Sequence, residues 1–260
     1  YKGSSAFQQL QTRTQIVRAA MLDRVCEKYG HLPYSRLERQ HVLKIRDEMS
    51  DRPAAANNMV KALRQVFNYG VDYNVAGLQL NPLREIKNLK SNNPDGFHCW
   101  TLEEIAKFET RHPIGSKARL AMALLLYTGQ RRSDIVGLGR QHIKNGRLEF
   151  TQFKNRNSKP THLSIPVLPE LQRIINASPC GDLTFLVTEF GKPYTNDGFG
   201  NWFRRMCRGA GLTDCSAHGL RKAAATWLAE IGCTDHEIMS ITGHRTQKEV
   251  KRYTEAVRQK

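Results

Sequence analysis

Residues 84 to 99 include Lys87, Lys90, Asn92, Asn93, Pro94, Asp95 and Gly96, polar side chains and turn formers with no apolar period. A stretch of that kind offers no face to bury, so it reads as a linker and divides the chain in two. With 260 residues, 40% of them hydrophobic, two ordinary domains with real cores are affordable. The expected division is 1–83, linker 84–99, and 100–260.

Before the linker, Ile16, Val17, Ala20, Met21 and Val25 recur at three and four, predicting one helical face over Thr12 to Tyr29 that Gly30 stops. Leu37, Val42, Ile45 and Met49 predict a helix from Ser35 to about Met49. Met59, Leu63, Val66 and Phe67 predict another from Ala54 to Tyr69, ended by Gly70, with a short helical piece near Val71 to Val75. A small all-helical bundle follows, with Arg13, Arg18, Arg24, Lys44, Lys61 and Arg64 on its polar faces.

After the linker, Thr101 and Glu104 form a capping box, flanked by Trp100 and Ile105 as a hydrophobic staple. Ser116 caps the next helix, whose run from Leu120 to Tyr127 is apolar almost all round and belongs in a core. Arg140 to Lys144, Arg147 to Phe153 and Thr161 to Val167 read as strands, the last two joined by a turn from Lys154 to Pro160. Glu170 to Ile175, Asp197 to Gly209, Gly219 to Ile231, Asp235 to Thr242 and Gln247 to Ala256 read as helices. The fold class is therefore mainly α with a small antiparallel sheet: a helical bundle followed by a mixed α/β domain.

The formal net charge of +16 and a pI near 9.8 point to a polyanionic partner. Residues 1 to 90 carry 15 basic against 8 acidic side chains and the remainder 25 against 16, so both halves are expected to face nucleic acid. The 6 cysteines form no CxxC pair, which indicates neither a zinc knuckle nor a disulfide framework. No apolar run approaches the ~20 residues that span a bilayer, and no signal peptide opens the chain. It starts Tyr1-Lys2 rather than with Met, as a piece of a longer protein would. No P-loop is present, and Gly137-Leu138-Gly139 is too little for a nucleotide loop.

The chemistry concentrates at the end of the chain, in His218, Arg221, His244 and Tyr253, with Tyr253 set among Lys251 and Arg252. A tyrosine attacks a phosphodiester as phenolate, about 4 kcal/mol away at pH 7, a gap that cationic neighbours are expected to close. Attack also loads the non-bridging oxygens with charge, which calls for guanidinium forks. Arg221 supplies one, and the segment Thr128-Gly129-Gln130-Arg131-Arg132-Ser133-Asp134 supplies a second, with Arg131 and Arg132 competing for the role. Asp134, three residues on, is placed to orient Arg131.

These pieces together resemble the tyrosine recombinases of the phage-integrase family. The matching elements are TGxRxSD with Arg131 and Asp134, a lysine in a strand turn at Lys154, HxLR with His218 and Arg221, GH with His244, and YT with Tyr253. The motif-bearing resemblance covers about residues 98 to 256, and the first ninety fit the family's other domain only by pattern. It implies a helical core-DNA-binding domain over 1–83 and a catalytic domain over 100–260. It implies Tyr253 as nucleophile, Arg131 and Arg221 as clamps on the phosphate, and Lys154 as general acid, with Lys159 the competitor and Asn155 standing where relatives often carry Thr or Gly. His218 would accept the tyrosine proton or bind phosphate, and His244 would hydrogen-bond the phosphate. Gly219 stands where part of the family has Asp. No cofactor or metal is implied, since the bond energy is kept in a phosphotyrosyl link. The implied partners are double-stranded DNA, further copies of the chain as a homotetramer on two DNA sites, and accessory DNA-bending or directionality proteins. The implied location is the cytoplasm, at the nucleoid. A type IB topoisomerase, a hairpin-forming resolvase and a catalytically silent DNA-binding regulator stay open as alternatives.

Overall fold

The structure is a computed structural model that describes residues 1–94, 96–154 and 156–258, so Asp95 and Asn155 lie outside the described residues. It divides into two compact units, Tyr1–Pro94 and Asp95–Lys260.

The first unit is helical: α1 (Ser5–Gln8), α2 (Thr12–Tyr29), α3 (Arg39–Asp47) and α4 (Pro53–Asp72). Leu22, Val42, Met59, Leu63 and Phe67 fill its core, and Leu83 and Ile86 from the following segment close it. Arg64 is not a free polar-face cation, because its guanidinium donates to the Leu83 and Ile86 carbonyls at 2.9 Å each. Asn57 bonds both backbone groups of Leu89, so the first residues of the polar stretch at 84–99 are held by side chains of this unit.

Three expectations for this unit need correction. Ile16 and Val17 do not face the core but are 59% and 40% exposed, since α2 meets its neighbours through Leu22 and Val25 in its second half. Gly70 does not end α4, which runs to Asp72; a Cβ at Gly70 would lie 2.8 Å from the Leu78 side chain, so glycine serves a close approach there. The helix expected from Ser35 begins only at Arg39, where the His41 ring accepts the Glu38 N–H at 3.1 Å and a 3₁₀ turn precedes it.

The second unit has α5 (Leu102–Arg111), α6 (Lys117–Thr128), α7 (Arg132–Ile135), β1 (Ile143–Lys144), β2 (Arg147–Thr151), β3 (His162–Pro166), α8 (Pro169–Ala177), α9 (Asn196–Gly209), α10 (Ala217–Glu230), α11 (Asp235–Thr242) and α12 (Gln247–Arg258). Its sheet is antiparallel in the order β1-β2-β3, with Leu148 opposite Ile165 and Phe150 opposite Leu163. The strand expected at Arg140 shrinks to Ile143–Lys144, because the His142 ring accepts the Gly139 N–H and winds residues 140–142 into a 3₁₀ turn. Both predicted caps are present: Thr101 with Glu104 on α5, and Ser116 accepting the Arg119 N–H on α6. The apolar α6 is the axis of the core, packing on α7, α8, α9 and α10. In turn α10 packs on α9, α11 and α12, which makes it the link between that core and the C-terminal helices. Among the described residues no helix is long and apolar enough to cross a membrane.

Gly219, on the first turn of α10, sits under the segment that leads into α5. A Cβ there would lie 2.2 Å from the His98 carbonyl and 2.9 Å from the Trp100 ring, so the position has no room for any side chain. Gly219→Ala is expected to cost about 1–3 kcal/mol, the usual range for overpacking, measured as a lower denaturant midpoint.

Candidate active site

Two helix ends and one strand end converge on Arg221. α6 terminates at Gly129 and α11 at Gly243, both left-handed caps with φ of 62° and 69°. The Arg221 side chain, 2% exposed, rises from α10 between them, and its Nη1 donates to the carbonyls of Gly129 and Thr242 at 2.7 Å each. Helix C-termini carry partial negative charge, so the fold builds a seat for a buried cation. Its other terminal nitrogen, Nη2, is buried with no hydrogen-bond partner among the described residues. Burial, reinforced by the neighbouring positive charge of Arg131, pushes the guanidinium down to about 10, still protonated at neutral pH.

Sequence reasoning did not pick out two glutamines that frame this seat. Gln152, 2% exposed at the end of β2, accepts from Arg131 Nη1 at 3.1 Å and donates to the Thr242 carbonyl at 2.9 Å and to Gln130 Oε1 at 2.7 Å. Gln130, fully buried, donates to the Thr128 and Ile241 carbonyls at 2.8 and 2.7 Å. The amides thus tie α6, β2 and α11 to one another and hold Arg131, while Gln152 shares the Thr242 carbonyl with Arg221. A signal for Gln152 did exist: it continues the inward register of Leu148 and Phe150, and a polar residue at such a position needs a buried partner. Gly243 is required twice over, by its positive φ and because a Cβ would meet the Gln152 amide at 2.4 Å.

Arg131 and Arg132 take different directions. Arg131 turns toward Gln152 and Arg221, whereas Arg132 turns to α9, pairing with Asp197 at 3.4 Å and pressing on Gly200. Asp134 acts on backbone rather than on a guanidinium: its carboxylate accepts the N–H groups of Arg131 and Phe153 at 3.2 and 2.7 Å, stapling the start of α7 to the end of β2. Burial pushes its carboxyl upward despite those bonds.

The His218 ring lies against Phe97, tilted by 51° with centroids 4.6 Å apart, and both border a cleft of about 400 Å³ whose other walls include Arg131, Arg132, Ser133 and Arg204. Burial, and then the charges of Arg221 and Arg131, hold the His218 imidazole below its ordinary value. His244 follows Gly243, with Nδ1 2.7 Å from Thr242 Oγ1, which itself donates to the Ile238 carbonyl. Burial and then Arg221 push His244 down to about 3, so it is neutral across physiological pH.

Tyr253 lies on α12 with its ring centroid 6.0 Å from that of His244. Its setting corrects one expectation. Tyr253 is not simply surrounded by cations, since it packs on a cluster of Ala225, Ala229, Ile238 and Val250. Burial there raises the phenol, and the lowering pull of Arg221 and Arg252 does not overcome it. Lys154 is exposed on the turn after β2. Burial alone would raise Glu249 on α12, but the Arg245 N–H at 3.2 Å, then the His244 ring, the Thr246 N–H and, weakest, the Lys154 ammonium hold it below its ordinary value. Lys159 is exposed on the same turn. The structure thus gathers Arg131, His218, Arg221, His244 and Tyr253, with Lys154 at the margin.

The histidines also set a pH dependence. A folded-state value below the unfolded one means that under about pH 6.5 the unfolded chain binds more protons, so stability is intact above that pH and falls as pH drops toward 3. His244→Gln removes this contribution. Relative to the variant, the wild type is expected to lose about 2 kcal/mol between pH 6 and pH 4, read from denaturant unfolding at both values; parallel profiles would contradict it.

The model of the phage integrase family matches residues 101–260. The chain belongs to that family, the tyrosine recombinases. It is 27% identical over 161 residues to the virulence plasmid integrase pGP8-D of Chlamydia trachomatis, covering 56% of this chain and 45% of that protein. It is 29% identical over 136 residues to the shufflon-specific DNA recombinase of Escherichia coli, covering 50% of this chain and 33% of that protein. The chain therefore spans less than half the length of these relatives. Among solved structures, a lambda integrase(75-356) dimer bound to a COC' core site superposes with a TM-score of 0.82 at 18% identity, over 96% of this chain and 90% of that one. The Tn1549 transposon integrase in complex with transposon right end DNA gives 0.77 at 17% identity, over 94% and 90%. At those identities the likeness establishes the fold.

Proposed function

We propose that this chain is a site-specific DNA recombinase that cuts and rejoins duplex DNA through a 3′-phosphotyrosyl intermediate, integrating or excising a mobile element. The single observation that carries the reading is Arg221 Nη2, a buried charged donor that finds no partner among the described residues, beside Arg131. An unmet donor of that kind costs free energy unless an acceptor arrives, and a phosphate's non-bridging oxygen is the acceptor a guanidinium fork fits. Arg131 takes the second oxygen.

In this reading the Tyr253 oxygen attacks phosphorus, forming the P–O bond while the bond to the 5′ oxygen breaks. Neutral His218 takes the phenol proton or binds the phosphate, His244 hydrogen-bonds the phosphate, and Lys154 gives a proton to the leaving 5′ oxygen. A second 5′ hydroxyl reverses the step. The raised phenol of the DNA-free chain makes activation a consequence of substrate binding. The first unit, over 1–83, would bind core DNA, and 84–99 would join it to the catalytic domain. Double-stranded DNA is the partner, in a homotetramer across two sites, as a lambda integrase tetramer is found on a Holliday junction; accessory DNA-bending proteins would assist. The place of action is the cytoplasm, at the nucleoid.

Incubation with a library of nicked suicide duplexes tests this. A band resistant to denaturant and sensitive to protease is expected, and sequencing the trapped DNA would give the site; no adduct on any duplex would refute the activity. Lys154→Ala should slow cleavage about 10²–10⁴-fold, the usual reach of general acid catalysis, with rescue when the 5′ bridging oxygen is replaced by sulfur. Equal impairment on both substrates would move the acid to Lys159.

A further inference from the structure

We propose that His98, Glu104 and Cys215 form a binding site for one transition-metal ion of the zinc class, apart from the reacting centre. The three come from different segments: the approach to α5, its first turn, and the loop before α10. One ligand atom from each lies within 4.8 Å of the other two, which is the scale of neighbouring ligands around a small metal ion. The spacing along the chain hides this, since no pair stands at the short intervals of a zinc knuckle.

The donor set selects the metal. Imidazole, carboxylate and thiolate together suit zinc and its borderline neighbours, while calcium and magnesium take oxygen ligands. Hydrogen bonds now occupy the positions an ion would take. His98 Nε2 lies 2.9 and 2.8 Å from the two Glu104 oxygens, and the Cys215 sulfur lies within 4.8 Å of a ligand atom of each. A metal ion would replace these shared protons, forming a bond to sulfur as the thiol proton leaves for solvent. Glu104 can ligate without losing its capping role, because one oxygen suffices for the Thr101 N–H at 2.9 Å. Cys215 is 2% exposed and fixes the inner side, whereas His98 is exposed, so an ion would enter, and take any further ligand from solvent, on the His98 side.

Such an ion would brace the site already described. Trp100 Nε1 donates to the Ser216 carbonyl at 2.9 Å, Ser216 caps α10, and α10 carries His218 and Arg221. The ion adds a tie across the same junction.

The test is a titration of the metal-stripped chain with Co²⁺, followed by absorption, with thermal melting in the presence and absence of Zn²⁺. One equivalent giving a thiolate-to-cobalt charge-transfer band is expected, together with a higher melting temperature in zinc. Cys215→Ser should lose the band. His98→Ala, changed on the exposed side and expected to fold, should weaken binding about tenfold or more, a loss that even outer partners of metal ligands produce, and should abolish the zinc-induced rise. No band in the wild type, a band that survives Cys215→Ser, or unchanged affinity in His98→Ala would each overturn the proposal.

Discussion

Tyr253→Phe is expected to abolish the covalent protein–DNA adduct while leaving folding and DNA affinity nearly unchanged. The substitution removes one oxygen, and the phenyl ring keeps its packing on Ala225, Ile238 and Val250. The seat for phosphate, built by Arg221 between two helix ends and by Arg131 on Gln152, does not depend on the phenol. Binding should therefore persist where chemistry cannot start. Circular dichroism, a binding isotherm and the suicide-duplex assay on one preparation separate the three quantities.

Arg221→Lys is expected to slow cleavage about 10²–10³-fold, the effect of deleting one donor to a developing oxyanion, with a much smaller change in stability. A lysine ammonium can still satisfy the Gly129 and Thr242 carbonyls but has no second arm for the phosphate. Arg221→Ala should add a folding defect, because the Gly129 carbonyl then loses its buried partner, a cost of about 1–3 kcal/mol. The Thr242 carbonyl keeps its bond from Gln152. A lysine variant as active as wild type would remove Arg221 from the chemistry.

Much of the site was legible because it rests on local signals: Gly129 and Gly243 close helices, Ser216 starts one, and the charged side chains stand at fixed offsets from those ends. Gln130 and Gln152 were not, since their role comes from three segments distant in sequence meeting at carbonyls left open by helix termini. The upward shift of Tyr253 was missed for a related reason: neighbours in sequence are cationic, but neighbours in space are aliphatic. In the first unit the period of α2 gave the helix correctly and its buried face incorrectly, because Ile16 and Val17 satisfy the same spacing as Leu22 and Val25. Periodicity fixes a helix, and only the packing partner decides which stripe is covered.

The most direct measurement is mass spectrometry of the trapped adduct after proteolysis and nuclease digestion. A single modified peptide carrying a nucleotide 3′-phosphate on Tyr253 is the predicted result. The same modification on another residue, Tyr127 or Tyr194 for instance, or a denaturant-resistant band with Tyr253 unmodified, would contradict the account.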